Sequence, residues 1–351
     1  MKATFTGLLP IITSACLVAA SVSVCHADTP YHFLKEIPIA GDEGWDWLSI
    51  DVAARRLYVT HASKIVVIDL DKEAVAGEIT DTPGVHGFAI APDLGTGFSS
   101  NGKESKASII DLKTLKTLSK VSTGENPDAI TYNPAQQEVY AFNGRGHSAT
   151  VFDAKTGNVL TTIALPGKPE FAIADPQAGR LYCNIEDKSE VAVIDTKTHA
   201  VVNSWPIAPG MEASGMAMDL ANHRLFIGCG NKMMVMMDST NGKVIATVPI
   251  GQGVDANMFD HGTKLAFSSN GEGTVTIARE ETPDKLMPVQ TLATERGART
   301  MALDAKTHKI YLASAKFEPV PEQPPGAPRQ RPKMIPGSFK ILIYGMEPSG
   351  K

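Results

Sequence analysis

One position that recurs along the chain carries side chains that could do chemistry. It opens a short apolar segment in each of seven repeated units, and successive copies lie 40, 42, 42, 44, 41 and 44 residues apart. Carboxylates, a histidine and an arginine fill six of the seven copies, although packing alone does not call for such residues. The seven copies are Asp46, His86, Asp128, Glu170, Ser214, Asp255 and Arg299. If the units surround an axis, this position forms one polar ring.

The residue types in this ring indicate the chemistry that it could support. Carboxylates that converge on one place repel each other, so they favour a bound cation or a shared proton. Oxygen ligands with a single imidazole suit Ca²⁺, Mg²⁺ or Mn²⁺, which makes a divalent cation a candidate cofactor. Its candidate ligands are Asp46, His86, Asp128 and Glu170. Arg299 could instead hold an anionic group of a ligand.

Two alternatives remain open for these positions. Short polar side chains often cap turns by bonding to nearby backbone N–H groups, so individual members of the ring could be structural. In the fifth unit, Glu212 lies two residues before Ser214 and could take its place as a ligand-binding residue.

The segments around the ring positions define the repeated unit. A first run such as Asp46–Asp51 is followed by a Leu-Tyr-Val run, a Val-Ile-Asp run and a turn such as Thr156-Gly157. Each unit therefore holds four strand-like runs, which is typical of a propeller blade. The last unit lacks its outer strand, and His32–Ile39 can supply one. We predict an all-β fold, a closed seven-bladed β-propeller whose N-terminal strand completes the last blade.

This architecture gives the recurring position a place. The innermost strand of a propeller blade lines the central channel, and its first residue lies near one rim. The polar ring is therefore predicted to surround the channel mouth, where a small ligand or a protein partner could bind. Trp45 and Trp47 flank Asp46, and we predict that they anchor the first blade, although Trp45 could also stack on a ligand.

Loops that follow the second strand of each blade should rise on the same face. His61 is a candidate for such a loop at the rim, although a solvated loop histidine is the simpler interpretation. In the last blade, residues 316–338 are rich in proline and carry Arg329 and Arg331. Such a segment is extended and stiff. It could cover the channel mouth as a lid or partner-binding arm, or it could be a surface insertion.

The first 27 residues resemble a secretory signal. Lys2 precedes an apolar stretch from Leu8 to Val24, and Cys25-His26-Ala27 is similar to a small-x-small cleavage site. We expect cleavage near Ala27, one mature domain over residues 28–351, and a periplasmic or secreted bacterial protein. An uncleaved membrane anchor is the alternative. No later apolar run has membrane-spanning length.

The charge balance narrows the range of partners. Of the 351 residues, 43% are hydrophobic and 20% charged, as in ordinary soluble globular proteins. Without residues 1–27 the chain keeps 32 basic and 38 acidic side chains, a net charge of −6. This balance disfavours binding of nucleic acid through a broad basic surface. We expect a monomer in which Cys183 and Cys229 stay unpaired.

The repeated phrase also resembles a known family. Leu57-Tyr58-Val59-Thr60 followed by Val67-Ile68-Asp69 is similar to the YVTN repeats of bacterial β-propellers, especially exported YncE-like proteins. The resemblance covers essentially the whole mature chain. It implies an extracytoplasmic propeller with a binding or scaffold role more often than a catalytic one. Similar repeats occur in lactonases, so a metal-dependent hydrolase is a second hypothesis, and the family implies single-stranded DNA binding as a third.

Overall fold

A computed structural model describes residue 1, residues 30–319 and residues 333–346. The predicted signal peptide, Arg329 and Arg331 lie outside the described residues. Over the described ranges the chain forms 28 strands and two 3-10 helices, Gly102–Glu104 and Glu186–Lys188. Neither of these helices is long or apolar enough to cross a membrane.

The strands form seven four-stranded antiparallel sheets, which confirms the predicted seven-bladed propeller. The first strands of the blades are β2 (Trp45–Asp51), β6 (Val85–Ala91), β10 (Pro127–Asn133), β14 (Pro169–Asp175), β18 (Ala213–Asp219), β22 (Val254–Asp260) and β26 (Met301–Asp304). The second strands are β3 (Arg56–His61), β7 (Thr96–Asn101), β11 (Glu138–Asn143), β15 (Arg180–Ile185), β19 (Arg224–Cys229), β23 (Leu265–Asn270) and β27 (Lys309–Ser314).

The outer half of each blade is built from two more strands. The third strands are β4 (Lys64–Asp69), β8 (Lys106–Asp111), β12 (Ser148–Asp153), β16 (Glu190–Asp195), β20 (Met233–Asp238), β24 (Thr274–Thr282) and β28 (Lys340–Met346). The fourth strands are β5 (Ala74–Ile79), β9 (Lys116–Ser122), β13 (Val159–Ala164), β17 (Ala200–Pro206), β21 (Val244–Pro249), β25 (Lys285–Ala293) and β1 (Tyr31–Pro38). Each first strand contacts the first strands of both neighbouring blades, so these strands form a closed ring around the axis.

The Val-Ile-Asp phrase has a structural explanation. Its valine and isoleucine lie in third strands that are buried on both faces, between neighbouring blades. Its aspartate ends the strand and accepts backbone N–H groups of the following turn, as Asp69 Oδ1 does from Asp71 (3.0 Å) and Lys72 (2.8 Å). Comparable bonds form at Asp111, Asp153 and Asp195. The phrase therefore encodes a buried strand and the Asx turn that follows it.

The two ends of the chain close the ring, as predicted. Strand β1 pairs antiparallel with β28, and Ile37 lies opposite Ile341. Both isoleucines belong to one buried cluster with Phe339 and with residues of the first blade. The last blade thus joins sequence-distant segments, and no sheet edge is left open between the first and last blades.

This closure predicts a large cost for a small truncation in β1. Ile37→Ala removes buried methyl groups from the closing blade and should lower the free energy of unfolding by about 2–5 kcal/mol. Leu34→Ala in the same strand, where the side chain is 37% exposed, is the control and should cost about 1 kcal/mol or less. Urea unfolding measures both, and equal losses would contradict the closure.

Candidate functional site

A β-bulge near the start of six first strands places the recurring polar residues. In the first blade Trp45 pairs with His61, and the next pair is Leu48 with Val59. Asp46 and the residue after it therefore oppose a single residue of β3. The same register shift occurs in β6, β10, β14, β18 and β22. Bulges redirect side chains, and here two successive residues of one strand can reach the channel.

Side chains one residue before the end of the second strands hold the bulged backbone. Thr60 Oγ1 accepts the N–H of Trp47 at 2.7 Å and donates to the Trp47 carbonyl at 3.1 Å. Ser100 Oγ accepts the N–H of Gly87 at 2.8 Å. It also donates to the backbone carbonyl of Asp128, which belongs to the next blade.

The tie to the next blade recurs around the ring. Asn184 Nδ2 donates to the carbonyl of Ser214, and Ser269 Oγ donates to the carbonyl of Arg299. Three ring positions are thus fixed by the preceding blade. The sequence signal is a hydroxyl or amide just before the end of an otherwise apolar strand, and the polar ring alone does not reveal it.

Five of the predicted ring residues converge on one cavity at the channel mouth. The cavity has a volume of about 50 Å³, which is room for a few water molecules or one small head group. The residues that line it are Asp46, His86, Asp128, Glu170 and Asp255 together with Trp47, Gly87, Ala129, Ile130 and Phe171. Polar residues from five different blades therefore meet in one small space.

His86 lies between two of the carboxylates. Its Nδ1 is 2.6 Å from Asp46 Oδ2 and 3.6 Å from Asp128 Oδ1. The imidazole packs on Gly102, where a β-carbon would come within 2.8 Å of His86 Nε2. Burial lowers the pKa of His86, but the hydrogen bond to Asp46 and the nearby negative charges outweigh it and raise this pKa. The site therefore favours the imidazolium form.

Two carboxyl groups beside His86 hold their protons unusually tightly. Burial raises the pKa of Asp128 to about 6. The positive charge of His86 lowers this pKa, and the negative charge of Asp46 raises it further, so burial and Asp46 together outweigh His86. Burial and the charge of Asp128 raise the pKa of Glu170 to about 7. Crowding and partial loss of water thus disfavour the second and third negative charges in the cavity.

Two cations border the cavity without filling it. Arg299 Nε lies 3.2 Å from Asp255 Oδ2, and burial still raises the pKa of Asp255 to about 6. Lys168 Nζ lies 3.0 Å from Glu170 Oε2 and also contacts Glu186. The carboxylates that point into the cavity are therefore only partly neutralised by the protein's own cations.

The floor of the cavity is aromatic. The ring of Trp47 meets Phe171 of the fourth blade with centroids 4.8 Å apart and planes at 34°. Trp47 thus reaches across the channel, and it also packs against the buried cluster of the sixth and last blades. Trp45 anchors the first blade by stacking on Phe339 of the last blade at 5.0 Å. The equivalent residues of the other blades are small, which leaves space above the floor; they are Gly87, Ala129, Gly215, Ala256 and Thr300.

Two predicted rim residues lie elsewhere. Glu212 is exposed in the turn before β18 and lies over Gly230, so Ser214 keeps the ring position. His61 is neither in a loop nor solvated, because it ends β3, is fully buried and stacks on Phe339 at 4.5 Å.

The predicted arginines do not line the cavity in the described structure. Arg299 precedes β26, is half-exposed and reaches the cavity only through Asp255. Arg329 and Arg331 belong to the stretch that the structure leaves undescribed.

Three of the four predicted metal ligands are close enough to share an ion. Asp46, His86 and Asp128 can each offer one ligand atom, and these atoms lie within 4.8 Å of one another. Glu170 is not part of this group. A metal at His86 Nδ1 would replace the proton that bonds to Asp46, so binding would weaken at low pH.

Comparison of the chain with models of known protein families and with curated proteins found no match. The fold therefore rests on the strand topology, and the resemblance to YVTN repeats stays a prediction.

The raised pKa of Glu170 predicts a pH-dependent cost to stability. A carboxyl whose pKa is higher in the folded state stabilises the fold below its unfolded pKa, and this contribution is lost as the pH rises through about 7. Glu170→Gln should therefore gain about 1–3 kcal/mol over wild type between pH 5 and pH 8. Urea unfolding at both pH values tests this, with Glu125→Gln on the exposed surface as the control. An unchanged pH dependence in Glu170→Gln would refute the argument.

Proposed function

We propose that this chain is an exported binding protein whose working surface is the channel-mouth cavity, and that its ligand carries positive charge. The convergence of Asp46, Asp128, Glu170 and Asp255 on one small cavity supports this proposal. Without a ligand these carboxylates repel each other and hold protons, so a bound cation would stabilise them.

The construction of the cavity also favours binding. The bulged backbone is held by Thr60 and Ser100, so the carboxylates are in place before a ligand arrives. Little ordering is then needed on binding, which favours affinity for a small ligand. A structural role for the ring does not explain why charged groups are gathered where burial raises the pKa of three of them.

The rest of the chain is consistent with this role. A propeller is a rigid scaffold that holds loops and rim residues in place, and it serves binding proteins as well as enzymes. The resemblance to exported YncE-like proteins and the signal-like residues 1–27 support a place outside the cytoplasm. The acidic cavity gives no support to single-stranded DNA binding, because the nucleic-acid backbone is itself negative.

Cation binding predicts a thermal shift that depends on Asp128. At ten times its dissociation constant a cation should stabilise the fold by about 1.4 kcal/mol, which corresponds to a rise in Tm of about 2–5 °C. Wild type, Asp128→Asn and the control Glu125→Gln would be melted with Ca²⁺, Mg²⁺, Mn²⁺ or alkylammonium salts at constant ionic strength. We expect a shift in wild type and in the control, and none in Asp128→Asn. No shift with any cation would contradict the proposal.

A metal-dependent hydrolase is the second candidate, favoured by the group of Asp46, His86 and Asp128. A divalent ion held by these residues would polarise a carbonyl oxygen and acidify a bound water. Glu170 lines the same cavity and would be a carboxylate that could accept a proton.

Elemental analysis of the purified protein tests this candidate. The hydrolase candidate predicts one divalent ion per chain in wild type and none in His86→Ala, with hydrolysis of a simple lactone lost both in this variant and after chelation. Retention of the ion by His86→Ala, or hydrolysis that resists chelation, would exclude the metal centre described above.

A further inference from the structure

We infer that the preferred ligand of the cavity is an organic ammonium ion, a protonated primary amine whose head group sits on the aromatic floor and whose chain leaves through the mouth. This inference rests on the proposed function, since it names the class of cation. It differs from the metal candidate in using the floor as well as the walls.

The size of the cavity sets the first limit. A volume of about 50 Å³ is room for a compact charged head group. The cavity opens at the channel mouth, where the first residues of the blades lie. A ligand with a compact charged head and a longer tail matches this shape.

The aromatic floor distinguishes an organic cation from a bare metal ion. Trp47 directly follows Asp46, and Phe171 directly follows Glu170, so each ring lies next to a carboxylate along the chain. The two rings meet at 4.8 Å beneath the charged wall. A strongly hydrated divalent ion gains little from such a floor, whereas an alkylammonium gains cation–π attraction and apolar contact. The arrangement suits a ligand whose charge carries hydrocarbon.

The carboxylate oxygens of Asp128 are hydrogen-bond acceptors in the cavity wall that are free to bind a ligand. Among the described residues none donates a hydrogen bond to the carboxylate of Asp128, and its nearest ion contact is His86 at 3.6 Å. Glu170 Oε2 is buried too, but Lys168 Nζ already lies 3.0 Å from it, so Asp128 is the wall residue left for a ligand to bond. A primary ammonium brings three N–H donors. A quaternary ammonium brings none and would leave these acceptors unsatisfied.

The backbone ties make this geometry rigid. Ser100 fixes the carbonyl of Asp128 from the preceding blade, and Thr60 fixes both backbone groups of Trp47. Wall and floor are therefore both preformed, which a ligand as small as an alkylammonium needs in order to bind measurably.

The experiment uses n-butylammonium as the probe, with binding followed by calorimetry and by tryptophan fluorescence at constant ionic strength. We expect binding of n-butylammonium by the wild-type protein, binding of tetramethylammonium at least fivefold weaker, and no binding of the neutral n-butanol. Equal binding of n-butanol would show that charge plays no part. Equal binding of tetramethylammonium would show that the acceptors play none. Either result would overturn the inference.

Two variants test wall and floor separately. Asp128→Asn should weaken n-butylammonium at least tenfold, because it removes a charge and an acceptor. Phe171→Leu keeps an apolar floor but removes the aromatic face, and should weaken binding about threefold to thirtyfold. Phe171→Tyr should restore it, and Phe33→Leu is the control because Phe33 is exposed on β1, outside the cavity. If folded Phe171→Leu binds n-butylammonium as tightly as wild type, the aromatic floor plays no part in binding.

Failure of this inference can be told apart from failure of the proposed function. If divalent ions raise the Tm of wild type but not of Asp128→Asn, while n-butylammonium does not bind, the cavity is a cation site and the ammonium assignment is wrong. If neither kind of cation has an effect, both proposals are wrong.

Discussion

The β-bulge at the start of the first strands is the constraint on which the site depends. In a regular strand, neighbouring side chains point to opposite faces, so Asp46 and Trp47 could not both line one cavity. The interruption between the Trp45–His61 and Leu48–Val59 pairs allows it. A hydroxyl at Thr60 then fixes the bulged backbone by accepting and donating one hydrogen bond. The charged wall and the aromatic floor thus both result from the β-bulge, which recurs in six of the seven first strands.

The rest of the propeller supplies the stability that a crowded acidic cavity requires. Burial raises the pKa of Asp128, Glu170 and Asp255, so ionisation of each of these groups lowers the free energy of unfolding. Apolar clusters between the blades offset this cost, and the closing pair of β1 and β28 joins both ends of the chain to one of them. Because the ring is closed, the blades cannot spread to relieve the repulsion at the mouth. A bound cation can relieve it without any movement of the scaffold.

The fold could be predicted from the sequence because the repeat fixes strand order, and an incomplete last blade with a spare N-terminal strand fixes the closure. The ring of polar positions could also be predicted, since Asp46, His86 and Asp128 occupy the same place in successive units. Side-chain contacts between segments far apart in the sequence could not be predicted. Phe339 covers His61, and Phe171 meets Trp47 across the channel. Strand alternation alone would also send the residue after Asp46 away from the cavity, because a bulge leaves little trace in a single sequence.

Crystals soaked in rubidium chloride would show whether this cavity is a preformed cation site. Rubidium is close to ammonium in size and charge, and its anomalous scattering locates it without reference to the protein model. We expect a peak above the Trp47 and Phe171 rings, within contact distance of the Asp128 carboxylate, that disappears in Asp128→Asn. A cavity without a peak, while rubidium occupies carboxylates elsewhere on the surface, would contradict it.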